Sequence, residues 1–500
     1  IIAHTAMRLF FSFLLLLPGT VTLTTGQPIL SFSRLGSSED ALCSPRKLAV
    51  FEDRLYVVES GIGPDPIPTD PTNTSSCFGP GREGYACVGS TARVSSYSLV
   101  AEDNDGRRTT VIDGLFSQRS LGLVGEVHST GVQSICFDPT TKESGHDSTY
   151  MYFVIGLGLN GTELTERGID MDYGAFGSVL RTNTSDDTMA TTVVAAPWED
   201  EFRENYDGSA DPTGVLPVPD SNPYHIACVG DYYYVADAGC NCIMKYDNLG
   251  DTNTVVQPTS VLVIPKYTDV PAVPAGVPGP CQNVIPPMGP PFCGQYQLET
   301  NGTWFYSVEP VPTAVKAKPG VVDKIYVSTL VGAIWNHPTA QVLEVSIDPA
   351  TGNFVHDQND PITPIADGFY AISDFDFYGD DYLYVLETNP GPIQLFSGRL
   401  TAVNLQNGEH QVKAQDELRA TTGMVIYGDM IYITNNTYTG TSEDVCMGHI
   451  IMASLTTDES PTAAPTVSPT QTPTEMPSAS GVWSMATTLS TVTVVILVLA

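Results

Sequence analysis

The chain has 500 residues, 42% of them hydrophobic, with 44 Gly and 38 Pro, so a large core interrupted by frequent turns is within reach. Its 56 Asp and Glu against 22 Lys and Arg give a formal charge of -34, a field that repels phosphate backbones and excludes nucleic acid as a partner. A diffuse acidic excess serves solubility, whereas capture of a cation such as Ca²⁺ needs a focused set of oxygens.

Reading from Met7 as the start, Arg8 precedes the apolar run LFFSFLLLL (9–17), followed by Pro18 and Gly19. A basic residue, a short apolar run and small residues predict a secretory signal peptide over residues 1–26. The run is too short for the about 20 residues that span a membrane. Secretion places the ten cysteines in an oxidising compartment, where disulfides are expected although spacing does not give their connectivity. Local loops closed by Cys77–Cys87 and Cys281–Cys293 are plausible pairings. Sequons at Asn73, Asn160, Asn183, Asn301 and Asn435 are candidate N-glycosylation sites.

Six segments then repeat one pattern of apolar strand, tight turn and Tyr-Val-like strand. They are LAVFEDRLYVVES (48–60), SICFDPTTKESGHDSTYMYFVIG (134–156), HIACVGDYYYVADAG (225–239), AVKAKPGVVDKIYVSTLVG (314–332), DFDFYGDDYLYVLETN (374–389) and GMVIYGDMIYITNNT (423–437). β-Branched and aromatic residues dominate, without a sustained helical period. A short alternating stretch follows each, and Val385 and Ile433 in the last two repeats stand 48 residues apart, the length of a four-stranded blade. A blade cannot bury its faces alone, so the fold class predicted is all-β, a six-bladed β-propeller over residues 27–456. A proline-rich insertion, 271–292, is pinched by Cys281 and Cys293.

Residues 457–480 (TDESPTAAPTVSPTQTPTEMPSAS) have almost no apolar bulk and are expected to form a disordered, O-glycosylated stalk. Residues 481–500 are a hydrophobic tail preceded by the small residues Ser478, Ala479, Ser480 and Gly481. These suit a GPI-attachment signal, with a tail anchor or a truncated transmembrane helix as alternatives. Either anchor holds the folded part at the extracellular face of the plasma membrane.

The motifs GPGR (79–82), NPY (222–224), VADAGCN (235–241), PVPT (310–313), YVSTLVG (326–332) and LYVLE (383–387) occur in this order. In them the chain resembles the ScyD/ScyE family of propellers, over roughly residues 48–455, within a superfamily of NHL-repeat and gluconolactonase-like propellers. The resemblance implies a propeller and supplies no established catalytic set. Cysteines flanking Asn241, the proline-rich loop and the added stalk and anchor depart from the family pattern.

Two residues after the Val or Ile of the Tyr-Val-like strand stand Glu59, Asp237, Thr329, Glu387 and Asn435 in five repeats, with small Gly156 near that position in the other. If that strand is innermost, they ring one mouth of the channel. Glu59, Asp237 and Glu387 are then candidate metal residues, since carboxylates are the hard oxygens Ca²⁺ favours. Thr329, Asn435 and His225 are candidate channel-lining residues, His225 also as a base. The competing reading is that an acidic residue at a strand end satisfies nearby backbone N–H groups. The G-x-G-x-x-G at 156–161 lacks the following helix of a dinucleotide site, and Cys240-x-Cys242 is too close for a zinc knuckle and better suited to a disulfide. No G-x-S-x-G or H-E-x-x-H occurs.

Two functions follow. One is a non-catalytic ligand-binding or scaffold propeller, monomeric, tethered at the cell surface and meeting a small molecule, polysaccharide or surface protein. The other is a Ca²⁺-dependent lactonase-like hydrolase in which those carboxylates hold a cation that polarises a carbonyl.

Overall fold

The computed structural model describes residues 30–456 except 38–39, 66–76, 82–83, 101–105, 122–126, 139–148, 157–174, 187, 207–220, 248–253, 266–295, 299–303, 307–309, 332–337, 356–361, 389, 391–396 and 438–445. The chain divides into two units, Ile1–Thr456 and Thr457–Ala500. The expected signal peptide, stalk and tail lie outside the described residues, as do Asn73, Asn160, Asn301, Cys281 and Cys293.

The first unit is a six-bladed β-propeller. Its innermost strands are Pro45–Phe51, Val132–Phe137, Pro223–Val229, Pro310–Lys316, Ile372–Tyr378 and Met424–Tyr427, in blades 1 to 6. Each packs against the innermost strands of the two neighbouring blades, closing a ring. The Tyr-Val-like strands, Arg54–Glu59, Tyr150–Ile155, Tyr232–Asp237, Lys324–Val331, Tyr382–Glu387 and Met430–Asn435, are second from the axis. The expectation that they line the channel is therefore corrected. The strand before each tight turn is the inner one, because every blade is an antiparallel meander that starts at the axis and steps outward.

The turns explain the local register. Phe51 faces Arg54 across Glu52 and Asp53, whose φ are 47° and 56°, the two positive values that a type I′ hairpin needs. Gly230 and Gly428, both with φ 57°, take the first loop position of the equivalent two-residue turns in blades 3 and 6.

The second strands are apolar on both sides because each side meets a different blade. Tyr233 and Val235 pack with Tyr152 and Val154 of blade 2, while Tyr234 and Ala236 pack with Ile325 and Val327 of blade 4. The same alternation in blades 4 to 6 joins Tyr326 to Leu383 and Val385, then Tyr384 and Leu386 to Ile431 and Ile433. Burial on both faces is also why these strands read as near-continuous apolar runs.

Closure is made by the N-terminal segment. Ser33–Leu35 pairs with His449–Ser454 as the outermost strand of blade 6. Leu42 and Gly448 exchange backbone hydrogen bonds of 2.8 and 3.0 Å, and the Cys43–Cys446 disulfide locks the seam across 403 residues of sequence. Cys136–Cys228 joins the inner strands of blades 2 and 3. Cys77–Cys87 forms as expected, and Cys240 and Cys242 pair with one another.

Candidate functional site

Every inner strand from blade 1 to blade 5 carries a β-bulge near its start. The register slips between Pro45 and Leu48, Val132 and Ser134, Pro223 and His225, Pro312 and Ala314, and Ile372 and Asp374. A bulge re-aims side chains and is frequent beside functional sites. Here it brings polar residues to the axis on strands that are otherwise built for burial.

Contacts between blades, several of them non-adjacent, locate the cluster. Lys47 of blade 1 donates to the carbonyl of Ser373 and lies 3.5 Å from Asp374 Oδ2, both in blade 5. Lys316 of blade 4 lies 3.1 Å from Asp374 Oδ1 and 3.8 Å from Asp376, and donates across to Met424 O of blade 6 at 3.0 Å. The Tyr224 ring of blade 3 sits 5.4 Å from Lys47 Nζ. His225 Nδ1 accepts a 3.4 Å bond from Val315 N–H. The Lys47 contacts with blades 3 and 5 and the Lys316 contact with blade 6 skip a blade and so form only at the axis, while Lys316–Asp374 and His225–Val315 join neighbouring inner strands. Lys47, His225 and Asp374 are buried, so this polar cluster is sealed from water.

The electrostatics follow from that burial. Desolvation, partly opposed by Asp374, lowers the Lys47 ammonium to about 8. Burial would lower Lys316 too, but Asp374 and Asp376 outweigh it and raise it. Burial pushes Asp374 up, yet the two lysines win and hold it below its ordinary value. His225 is driven well below its ordinary range by burial and then by Lys47, so it is a neutral imidazole.

The strand-end residues are arranged differently. Glu59 is fully buried, accepts from Cys43 N–H at 2.8 Å and Ser95 Oγ–H at 2.6 Å, and lies 3.7 Å from Arg108. Asp237 accepts from Ser221 Oγ–H at 2.6 Å and from the N–H groups of Asn222, Gly239 and Cys240 at 2.7, 3.0 and 3.2 Å. Glu387 accepts from Tyr370 N–H at 2.9 Å and is clamped by Arg399 at 2.7 and 2.6 Å. Burial raises all three, Asp237 to about 6. Thr329 bonds the backbone of Gln341 in its own blade. Asn435 accepts from Arg419 N–H, and its Nδ2 donates to Glu417 O at 3.2 Å. It is buried, so this sequon is not open to a glycan in the folded chain. Asn183 is half-buried, its Oδ1 bonded to Ser185 N–H.

Among the described residues, the three His, Cys, Asp or Glu side chains whose ligand atoms come within 4.8 Å of one another are Glu201, Cys240 and Cys242. Glu59, Asp237 and Glu387 do not form such a group. Their lone pairs are engaged by donors of their own blades, so they do not fit a shared Ca²⁺.

No family model matches the chain, and no curated protein matches its sequence. Solved structures similar to it include one described as a nidogen/laminin complex, at 10% identity and TM-score 0.37, over 74% of this chain and 98% of that one. A luciferin-regenerating enzyme is similar at 9% identity and TM-score 0.39, over 85% and 95%. The PQQ-bound aldose sugar dehydrogenase of Streptomyces coelicolor is similar at 11% identity and TM-score 0.39, over 85% and 98%.

Of the residues singled out from sequence, His225 joins the axial cluster, whereas Glu59, Asp237, Thr329, Glu387 and Asn435 stay within their own blades. Lys47, Lys316, Asp374 and Asp376 were missed. The available signal was a polar residue just after the strand-opening Pro or Ile, as in PRK (45–47), PYH (223–225) and ISD (372–374), where the bulge falls.

Proposed function

We propose that the chain is a non-catalytic, ligand-binding or scaffold propeller held at the cell surface through its C-terminal tail. What carries the reading is the engagement of the strand-end and axial acids. Each strand-end carboxylate is engaged by N–H, O–H or guanidinium donors of its own blade, and the axial carboxylate is shared between two lysines. Groups bonded in this way hold a scaffold rigid and, among the described residues, leave no assembled oxygen cage to polarise a carbonyl. The ScyD/ScyE motifs are compatible with this role, and the stalk lifts the propeller toward surface polysaccharides or proteins.

The test is metal analysis of the folded unit, residues 27–456, before and after chelation, with melting curves. Metal-free protein with unchanged melting supports the reading and leads to binding assays on polysaccharides and surface proteins. A stoichiometric divalent cation whose removal lowers the melting temperature turns the case to the lactonase-like hydrolase. Surface staining of intact cells, lost on treatment with a phosphoinositide-specific phospholipase C, tests the GPI anchor; staining that survives it points to a membrane-spanning tail.

A further inference from the structure

Blade 1 extends beyond the four-strand plan through a long hairpin, Gly84–Ser98 with Thr109–Leu121, and the edge strand Val127–Thr130. Arg119 lies in its second arm, opposite Cys87 on one side and Ser129 on the other. Its side chain is fully buried, and none of Nε, Nη1 and Nη2 has a hydrogen-bond partner among the described residues. An arginine cannot escape such a position by losing its proton.

Several other arginines of the described residues have partners. Arg46 donates to Ser60 Oγ and Ser129 O at 3.0 and 2.6 Å, Arg108 to Ala41 O at 2.8 Å, and Arg399 is clamped on Glu387. Arg93 lies 3.7 Å from Asp113. A chain with 56 acidic residues has no shortage of carboxylates to place, yet none is paired with Arg119 among the described residues.

The carbonyls of the loop packed on Arg119 Cβ are taken by neutral donors. The loop 61–63 packs against the arginine, and a Cβ on Gly63 (φ 76°) would stand 2.7 Å from Arg119 Cβ and 2.9 Å from Cys87 O. Thr91 and Ser117 hydroxyls donate to Gly63 O at 2.8 and 3.2 Å, and Ser129 Oγ donates to Gly61 O at 2.8 Å. Hydroxyls thus satisfy these loop carbonyls, while the buried guanidinium has no acceptor among the described residues. Its planar pair of donors matches a carboxylate or sulfate.

We propose that Arg119 is the anchor of an oxyanion-binding site in the blade 1 hairpin, taking a carboxylate or sulfate group of a small ligand. The site goes beyond the surface-binding reading and does not depend on it.

Equilibrium dialysis of the full chain against radiolabelled sulfate at low ionic strength tests it. One saturable site per chain is expected, displaced by acetate and by glucuronate but not by chloride at matched ionic strength. Arg119→Met removes the charge and Arg119→Lys removes the fork while keeping the charge; each should weaken sulfate binding at least tenfold. The lysine variant serves if the methionine variant fails to fold. Displacement by glucuronate at lower concentration than acetate assigns the group to an acidic sugar, and equal potency to a free small oxyanion. Absence of a saturable site in the wild type, or unchanged affinity in a folded variant, overturns the proposal.

Discussion

The strand-end carboxylates and the axial cluster solve one problem in opposite ways. Asp237 is 0% exposed and finds its four donors in the loops of its own blade, between Ser221 and Cys240. Lys47 is just as buried, but its partner carbonyl is 326 residues away. The first arrangement belongs to the repeat and would survive in any blade with the same turn. The second exists only because six blades close a ring, so closure of the propeller and burial of its charges are one event.

The sharpest way to break this comparison is Asp374→Ala. It leaves the buried Lys47 and the half-buried Lys316 without the carboxylate they share, and the cost expected is about 3–5 kcal/mol, read from denaturant unfolding. Adding Lys47→Met should recover part of the loss, because one uncompensated charge is removed. A double variant whose loss equals the sum of the two single losses would mean that the pair is not coupled.

Opening the seam is next. Cys43→Ser with Cys446→Ser removes a link across 403 residues and should cost about 2–5 kcal/mol. The strand Ser33–Leu35 should then be the first to exchange its amide hydrogens. Protection of that strand equal to the wild type would show that the backbone pairing suffices.

Asp237 sharpens the local side. Its folded value, about 6, stands above the model-peptide value of 3.8, so the folded state binds its proton more tightly. The favourable contribution is complete below pH 4 and is lost as pH rises through 6, a difference of about 3 kcal/mol. Asp237→Asn keeps an acceptor for the three N–H groups and offers an amide to Ser221. The variant should fold and show a flatter stability profile than the wild type between pH 4 and 6. An identical profile would place the titration elsewhere.

The smallest effect concerns Asn435. Glycopeptide mapping should find it unmodified, because its Nδ2 is buried and donates to Glu417 O. A glycan on Asn435 would require the strand end at Met430–Asn435 to be open during folding.

The repeat was legible because each second strand meets a neighbour on both faces, which forces a run such as YYYVAD or YLYVLE that stands out in the chain. The blade count followed from those runs. The inner strands were read one step too late. Their opening residues, Arg46 and Lys47, Tyr224 and His225, Ser373 and Asp374, interrupt the apolar pattern where the bulges fall. His225 was visible as a lone imidazole at a strand start; its neighbours in the cluster were not, because nothing local ties Lys47 to Asp374.

The sequence by itself therefore determined the strand alternation, the turns and the blade repeat, all of which depend on side chains within a few residues of one another. Only the tertiary structure decided which strand lies at the axis, which acids are locally satisfied and which charges meet across the ring. Burial sets these outcomes, and burial is a property of the closed propeller. A buried charge must find its partner wherever the fold brings one, at 16 residues for Asp237 and Ser221 or at 326 for Lys47 and Ser373.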